Sequence, residues 1–180
     1  HPSAIENNQF CLSKDESHHS LKSLRGSVGD EVWLLDGKGF AHQARVKKID
    51  NLIVRGSIND SFANFGENKK SIHLVLGLIK GKRMDLAIEK SVEFGVKSIH
   101  PVLFERSIKK TLNFGRLSKV IASSAKQTGR SIFPELKKIL SPKILRNIAK
   151  DKFSLEILGI IFPQLKYFNI FSKLNSYSKH

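Results

Sequence analysis

"SIHLVLGLIKGKRMDLAIEKSVEFGVKSIHPVLFERS", residues 71–107, decides the fold. Residues 71–79 form a nearly continuous apolar run, as expected of a strand covered on both faces. Met84, Ala87, Ile88, Val92 and Phe94 then recur near helical spacing over 82–95, and Gly95 supplies a C-terminal stop. "SIHPVLF" over 98–104 reads as a second strand. "GRLSKVIASSAKQTGR" over 115–130 reads as a second helix, with Leu117, Val120, Ile121 and Ala125 on its apolar side. Strand, helix, strand, helix implies right-handed crossovers and a largely parallel sheet. Ligands of such sheets gather where the strands end. The segments 77–81 and 105–107 both follow strands, so both are expected at that edge.

Upstream the rhythm differs. "DESHHSLKSLR" predicts a helix with Asp15 as N-cap, Leu21 and Leu24 on one face and Gly26 as its stop. Asp36-Gly37-Lys38-Gly39 is a strong turn signal between apolar stretches at 32–35 and 40–49. Another strand is expected over 51–58, and the polar, Asn- and Gly-rich stretch 59–70 reads as a linker. The short run "ILGIIF" at 157–162 predicts a buried strand, because it is too brief to span a membrane.

Charge divides the chain at the same place. The 180 residues carry a net charge of +15. Residues 1–68 hold 8 Lys and Arg against 9 Asp and Glu, whereas residues 69–180 hold 23 against 7. The expected organisation is therefore a small β-rich module over 1–68 and an α/β domain over 69–180. The excess of cations favours a polyanionic partner, RNA or DNA. A single cysteine, Cys11, excludes an internal disulfide and suits a reducing, cytoplasmic setting.

Several chemistries lack their residues. Neither a phosphate-binding glycine loop, a nucleophile elbow nor a His-Glu-x-x-His zinc helix is present, and no Cys/His spacing supports a metal. His18 and His19 are adjacent on a helix and cannot share a metal-binding face. Glu89 and Glu93, four apart, could pair as an acid and a base, yet beside Lys90 and Lys97 they read better as a salt-bridged surface. Arg106, Gln127 and Arg130 remain. An arginine fork matches phosphate and base edges, and the competing role for Arg106 is a loop-holding pair with Glu105 or Glu93. Residue chemistry alone leaves these two roles open.

Three segments together resemble the RsmE family of 16S rRNA uridine-N3 methyltransferases. "SHHSLKSLRGSVGDEVWLLDGKG" is similar to the family's helix followed by G-D-x-x-x-x-x-D-G-x-G. "LGLIKGKRMDLAIEKSVEFGVKSIHPVLFERS" resembles its K-x-x-x-M-D, K-x-x-E-L-G-V and E-R-S series, and "SSAKQTGRSIFPEL" its A-x-E-Q-x-x-R-x-x-x-P segment. The match covers roughly residues 10–140, in order. The resemblance implies a PUA-like β-barrel followed by a SPOUT-type α/β domain with a trefoil knot. It also implies S-adenosylmethionine as methyl donor, no metal, 16S rRNA of the small ribosomal subunit as substrate, and a homodimer. His19, Arg25, Arg106, Gln127 and Arg130 carry over as RNA-side or structural residues. No residue carries over as catalytic, or as binding the donor.

One departure bears on the donor. The family's I-G-P-E-G-G and L-G-x-x-I-L-R-x-E-T-A segments have no counterpart here. In "IFPQLKYF", at 161–168, Pro163 and Gln164 echo P-E, while Phe162, Leu165 and Lys166 replace the glycines that let a ligand approach the backbone. The sequence thus predicts a methyltransferase domain that is divergent, truncated or frameshifted after about residue 140, with the knot incomplete. The alternative expectation is a non-catalytic RNA-binding protein, or a decayed remnant of that enzyme.

Overall fold

A computed structural model describes residues 2–144 and 157–161. The first five strands, β1 (Pro2–Glu6), β2 (Gln9–Leu12), β3 (Glu31–Leu35), β4 (Phe40–Asp50) and β5 (Ile53–Ala63), form one antiparallel sheet in the order β1-β2-β5-β4-β3. Two hairpins owe their turns to paired left-handed residues: Asn7 and Asn8 between β1 and β2, and Asn51 and Leu52 between β4 and β5. Asparagine tolerates that conformation; Leu52 is the costlier occupant. At the third turn, Asp36 Oδ1 accepts the backbone N–H groups of Lys38, Gly39 and Phe40 at 2.7, 3.0 and 2.9 Å, which is why the Asp-Gly-Lys-Gly signal was readable. Phe10, Leu12, Leu34, Ala44, Val46 and Val54 build the core of this sheet.

Helix α1 (Lys14–Lys22) differs from expectation at both ends. Ser13, not Asp15, is its N-cap, accepting from Glu16 N at 3.3 Å. The Ser13-x-x-Glu16 spacing places that hydroxyl over the third helical amide, a position Asp15 cannot reach from within the first turn. At the other end Arg25 turns left-handed (φ 54°), so Leu24 points to solvent instead of sharing the buried face of Leu21. Strand β5 also outruns its predicted end, because Phe40–Gln43 on β4 find partners in Asp60–Ala63. The linker shortens to residues 64–71. Strands β1 and β2 were not read in the sequence at all.

The second sheet is parallel throughout, in the order β8-β7-β6-β9, with β6 at Ile72–Gly77, β7 at Val96–Val102, β8 at Glu135–Leu136 and β9 at Ile157–Ile161. Helices α2 (Lys82–Glu93) and α3 (Phe114–Gln127) make the crossovers β6-α2-β7 and β7-α3-β8. Both steps run the same way across the sheet, so right-handed connections put both helices on one face. There Leu74, Leu76, Leu78 and Ile99 meet Met84, Ile88, Val92, Leu117, Ile121 and Ala125 in one core. Phe94, assigned to the apolar face of α2 from its spacing, falls after the helix ends and is largely exposed. Pro101 has no N–H to continue the ladder to β8. Pairing lapses after Lys137 N donates to Ile99 O at 2.9 Å and resumes where Leu140 N donates to Pro101 O at 2.9 Å.

The sequence expectation of a strand at 157–162 is met for Ile157–Ile161, which add to β6 on the side away from β7. The strand order therefore reverses at β6, and the crevice where β6 and β9 end is the topological switch point.

Candidate nucleic-acid interface

At the edge where the parallel strands end, β6 runs into residues 78–81 and β7 into residues 103–113. The second of these contains a tight turn. Ser107 N donates to Phe104 O at 2.9 Å and Phe104 N donates to Ser107 Oγ at 3.1 Å, so Glu105 and Arg106 form the exposed tip. No ion-pair partner of Arg106 exists among the described residues, and its expected loop-holding pair with Glu105 or Glu93 does not form. Glu93 belongs to Lys90, whose Nζ lies 2.8 Å from it, and Glu89 lies 3.7 Å from the same ammonium. The hydrogen bond to Glu93 raises the Lys90 pKa. Lys97 instead donates to Ser71 Oγ. Glu89 and Glu93 are thus a solvated salt-bridged surface.

Exposed Lys80, Lys82, Arg83, Lys110 and Lys119 belong to the segments at or beside this edge. Two further residues escaped the sequence reading. Asp85, in the first turn of α2, is ion-paired to Arg116, in the first turn of α3, and this ties the two helix starts together. Asn113 caps α3 by accepting Arg116 N at 3.0 Å. The other carboxylate oxygen, Asp85 Oδ1, is buried with no hydrogen-bond partner among the described residues. The K-x-x-x-M-D pattern contained Asp85; nothing local pointed to Arg116.

Arg130 lies at the opposite end of the sheet, 2% exposed. Its Nη1 donates to Val92 O and Val96 O at 3.1 and 2.9 Å, and its Nη2 to Glu67 Oε2 at 2.6 Å. Glu67 Oε1 accepts Ile132 N at 2.9 Å. The guanidinium therefore clasps the linker to the end of α2 and the start of β7, and of the two roles expected for Arg130 this geometry is the structural one. His19 and Arg25 are exposed, on α1 and just after it, and Gln127 is exposed at the last position of α3. A Lys126–Glu16 ion pair joins α1 to the end of α3. A helix of 14 residues is about 21 Å long, so Gln127 and Arg106 belong to opposite ends of the sheet. The five residues do not form one cluster.

A methyl donor needs backbone it can approach closely. Gly81 (φ 62°) starts α2 at the switch-point edge, and a Cβ placed there would meet nothing within 4 Å among the described residues. Pro163 and Gln164, and the knot expected near them, lie outside the described residues. Among the described residues no group of three or more His, Cys, Asp or Glu is placed to hold a metal, and no helix is long and apolar enough to cross a membrane.

Comparison with known proteins agrees with this architecture. The RNA methyltransferase PUA domain matches residues 12–57, and the RNA methyltransferase domain matches residues 66–161. Ribosomal RNA small subunit methyltransferase E of Buchnera aphidicola is 31% identical over 140 residues, 74% of this chain and 55% of that protein. Ribosomal RNA small subunit methyltransferase E of Neisseria gonorrhoeae, solved bound to S-adenosylmethionine, superposes with a TM-score of 0.74 at 28% identity, covering 86% of this chain and 64% of that one. A predicted RNA methyltransferase of Thermotoga maritima superposes at 0.64 with 26% identity, covering 77% and 62%. The chain spans about half the length of the curated relatives it matches. With an antiparallel PUA-like sheet leading into a parallel SPOUT-type sheet, and the matching domain covering more than half of its residues, the chain belongs to the RNA methyltransferase domain family.

Proposed function

We propose that the chain holds and presents RNA within an S-adenosylmethionine-dependent methyltransferase acting on uridine N3 of 16S rRNA, in the cytoplasm and as a homodimer. The division at residues 68/69, into a PUA-like RNA module and a methyltransferase domain, is part of this reading. The observation that carries it is the order of the two family matches, each lying on its own sheet, with a cation-rich edge where the parallel strands end. Bound at that edge, the donor would supply an electrophilic methyl group.

The chain's own contribution is positional and electrostatic. Uracil N3 carries a proton that must leave before nitrogen can accept a methyl group, and nearby cations favour the deprotonated ring. Exposed Arg106, Lys110 and Lys80 supply positive charge there and hold phosphates that fix the nucleotide. Most of the rate gain would come from alignment. A non-catalytic RNA-binding role is the second reading, favoured by Phe162, Leu165 and Lys166 standing where glycines would admit the donor.

Calorimetric titration with S-adenosylmethionine, alongside RNA binding at graded salt, separates the two. The enzyme reading expects saturable heat and transfer of labelled methyl to a 16S rRNA fragment. Salt-sensitive RNA binding without heat leaves the binding role alone, and absence of RNA binding at low salt removes both.

A further inference from the structure

The outer face of the first sheet carries an aromatic cluster that the core does not require. Trp33 on β3, Phe62 on β5 and Phe65 just beyond it are 52%, 41% and 41% exposed. Trp33 stacks on Phe65 with ring centroids 5.1 Å apart and planes 20° from parallel, and Phe62 tilts against Trp33 at 5.6 Å. Leu35 and Ala41 are buried on the same face, yet each ring leaves much of its own surface in water. Exposed aromatic surface that is clustered in this way marks a contact. The cluster is also preset. Phe65 O accepts Ser131 N at 3.0 Å, Asn64 N donates to Gly39 O at 2.7 Å, and the backbone beneath the Phe65 ring is thereby fixed.

Register shows what adjoins it. Trp33 faces Gln43 across β3 and β4, Glu31 faces Arg45, and beyond a bulge Lys48 faces Arg55 on β5. Aromatics therefore stand at one end of a strip and cations at the other, over about 20 Å of strand. Of the 8 cations in residues 1–68, Arg45, Lys47, Lys48 and Arg55 lie on β4 and β5, against Asp50 and Asp60 on the same strands and Glu31 on β3. Arg45 bonds Glu31 at 2.8 Å, and Asp50 lies 3.3 Å from Lys48 and 3.8 Å from Arg55, each pair exposed enough to exchange an acid for a phosphate. A sheet face with stacked rings and neighbouring cations is the arrangement that takes unpaired RNA, with bases on the rings and phosphates on the cations.

We propose that this face is a second RNA contact, in which an unpaired base stacks on the Trp33–Phe65 pair while the backbone runs toward Arg45, Lys48 and Arg55. It rests on the RNA-binding reading above and adds the site and strandedness of the contact. Trp33 is the sole tryptophan of the chain, so its emission reports on this face alone. Titrating the full chain with a fluorescently labelled 12-nucleotide single-stranded RNA should quench Trp33 over the same concentrations that raise RNA anisotropy. Trp33→Ala should weaken binding about tenfold, the effect of losing one base stack, with an unchanged salt slope; Trp33→Phe should retain most of the affinity. Lys48→Ala should lower the slope by about 0.7. Matching circular dichroism melts for wild type and Trp33→Ala establish that the variant is folded, and the wild-type quenching needs no variant. RNA binding with unchanged Trp33 emission and Trp33→Ala within twofold of wild type overturns the platform and leaves the RNA reading standing. No anisotropy change at low salt overturns both. Trp33 emission that shifts with protein concentration without RNA, and not with RNA, identifies a face between copies and overturns the proposal.

Discussion

Where the parallel strands begin, Arg130 is enclosed by Glu67 and two backbone carbonyls; where they finish, Arg106 stands in solvent at the tip of a four-residue turn. Both arginines follow apolar elements, and both belong to segments that resemble one family's motifs. Their different roles come from what the rest of the chain brings to each end. The linker delivers Glu67 to Arg130 across 63 residues of sequence, whereas no acidic side chain reaches Arg106 among the described residues. One end of the sheet is tied to the first module; at the other, no such tie holds Arg106 among the described residues.

Removing the clasp is the strongest way to break this comparison. Arg130→Ala leaves Glu67 buried without its counter-charge and frees the carbonyls of Val92 and Val96, so we expect a loss of about 3–5 kcal/mol in urea unfolding. A double-mutant cycle with Glu67→Ala should show coupling of at least about 1 kcal/mol. Additive single effects would mean that the two side chains do not depend on each other.

A single substitution made at both ends should change sign between them. Gly66, in the linker, has φ 71°, and a Cβ there would stand 2.4 Å from Gly129 O, a backbone atom that cannot move without disturbing Arg130. Gly66→Ala should cost about 2–3 kcal/mol. Gly115, in the first turn of α3 near the open end, has an ordinary helical backbone, and its nearest neighbour, Asn113 Oδ1, is 3.7 Å from the added carbon. Gly115→Ala should stabilise by about 0.4–1 kcal/mol. Equal effects in thermal melts would refute the difference between the ends.

Between the ends, pH should act through the sheet face turned away from the helices. Ser98 Oγ lies 2.7 Å from both His73 Nδ1 and His100 Nε2, a hydroxyl able to donate to one ring and accept from the other. Burial pushes the His100 pKa down from its ordinary 6.5, His73 and Lys137 push the same way, and Glu135 opposes them. A histidine with a depressed folded pKa binds fewer protons folded than unfolded. Its stabilising contribution is therefore complete above about pH 6.5 and is lost as pH falls below that value toward the folded pKa. Unfolding free energy should drop on acidification through this window, and His100→Gln should flatten the slope. An identical slope in the variant would remove His100 as the source.

Much of the second sheet was legible because its signals are local. The apolar run at 71–79, the helical spacing of Met84, Ile88 and Val92, and the glycine stop each need only a window of a dozen residues. The clasp and the Asp85–Arg116 tie were not legible, since their partners lie 63 and 31 residues apart and no period connects them. β1 was missed because a five-residue edge strand has little apolar pattern, although Asn7-Asn8 was a turn signal in view. The candidate site suffered most. Charge and motif resemblance named five residues as a set, but deciding whether they form one surface required knowing that α3 runs from one end of the sheet to the other.

The smallest effect on stability carries the most functional weight. Among the described residues Arg106 makes no side-chain bond that holds its turn, which is closed by Ser107 and Phe104, so Arg106→Ala should shift stability by less than about 0.5 kcal/mol. If the open end holds RNA through its phosphates, the same change should weaken binding across sequences and lower the salt slope by about 0.7–0.9. Arg130→Lys provides the converse. A lysine there keeps the charge but lacks the planar fork that reaches two carbonyls and a carboxylate together, so stability should fall while the salt slope of the folded fraction stays fixed. If the slope instead followed Arg130 and ignored Arg106, the open and closed ends would exchange roles, and the clasp would have to release its arginine whenever RNA binds.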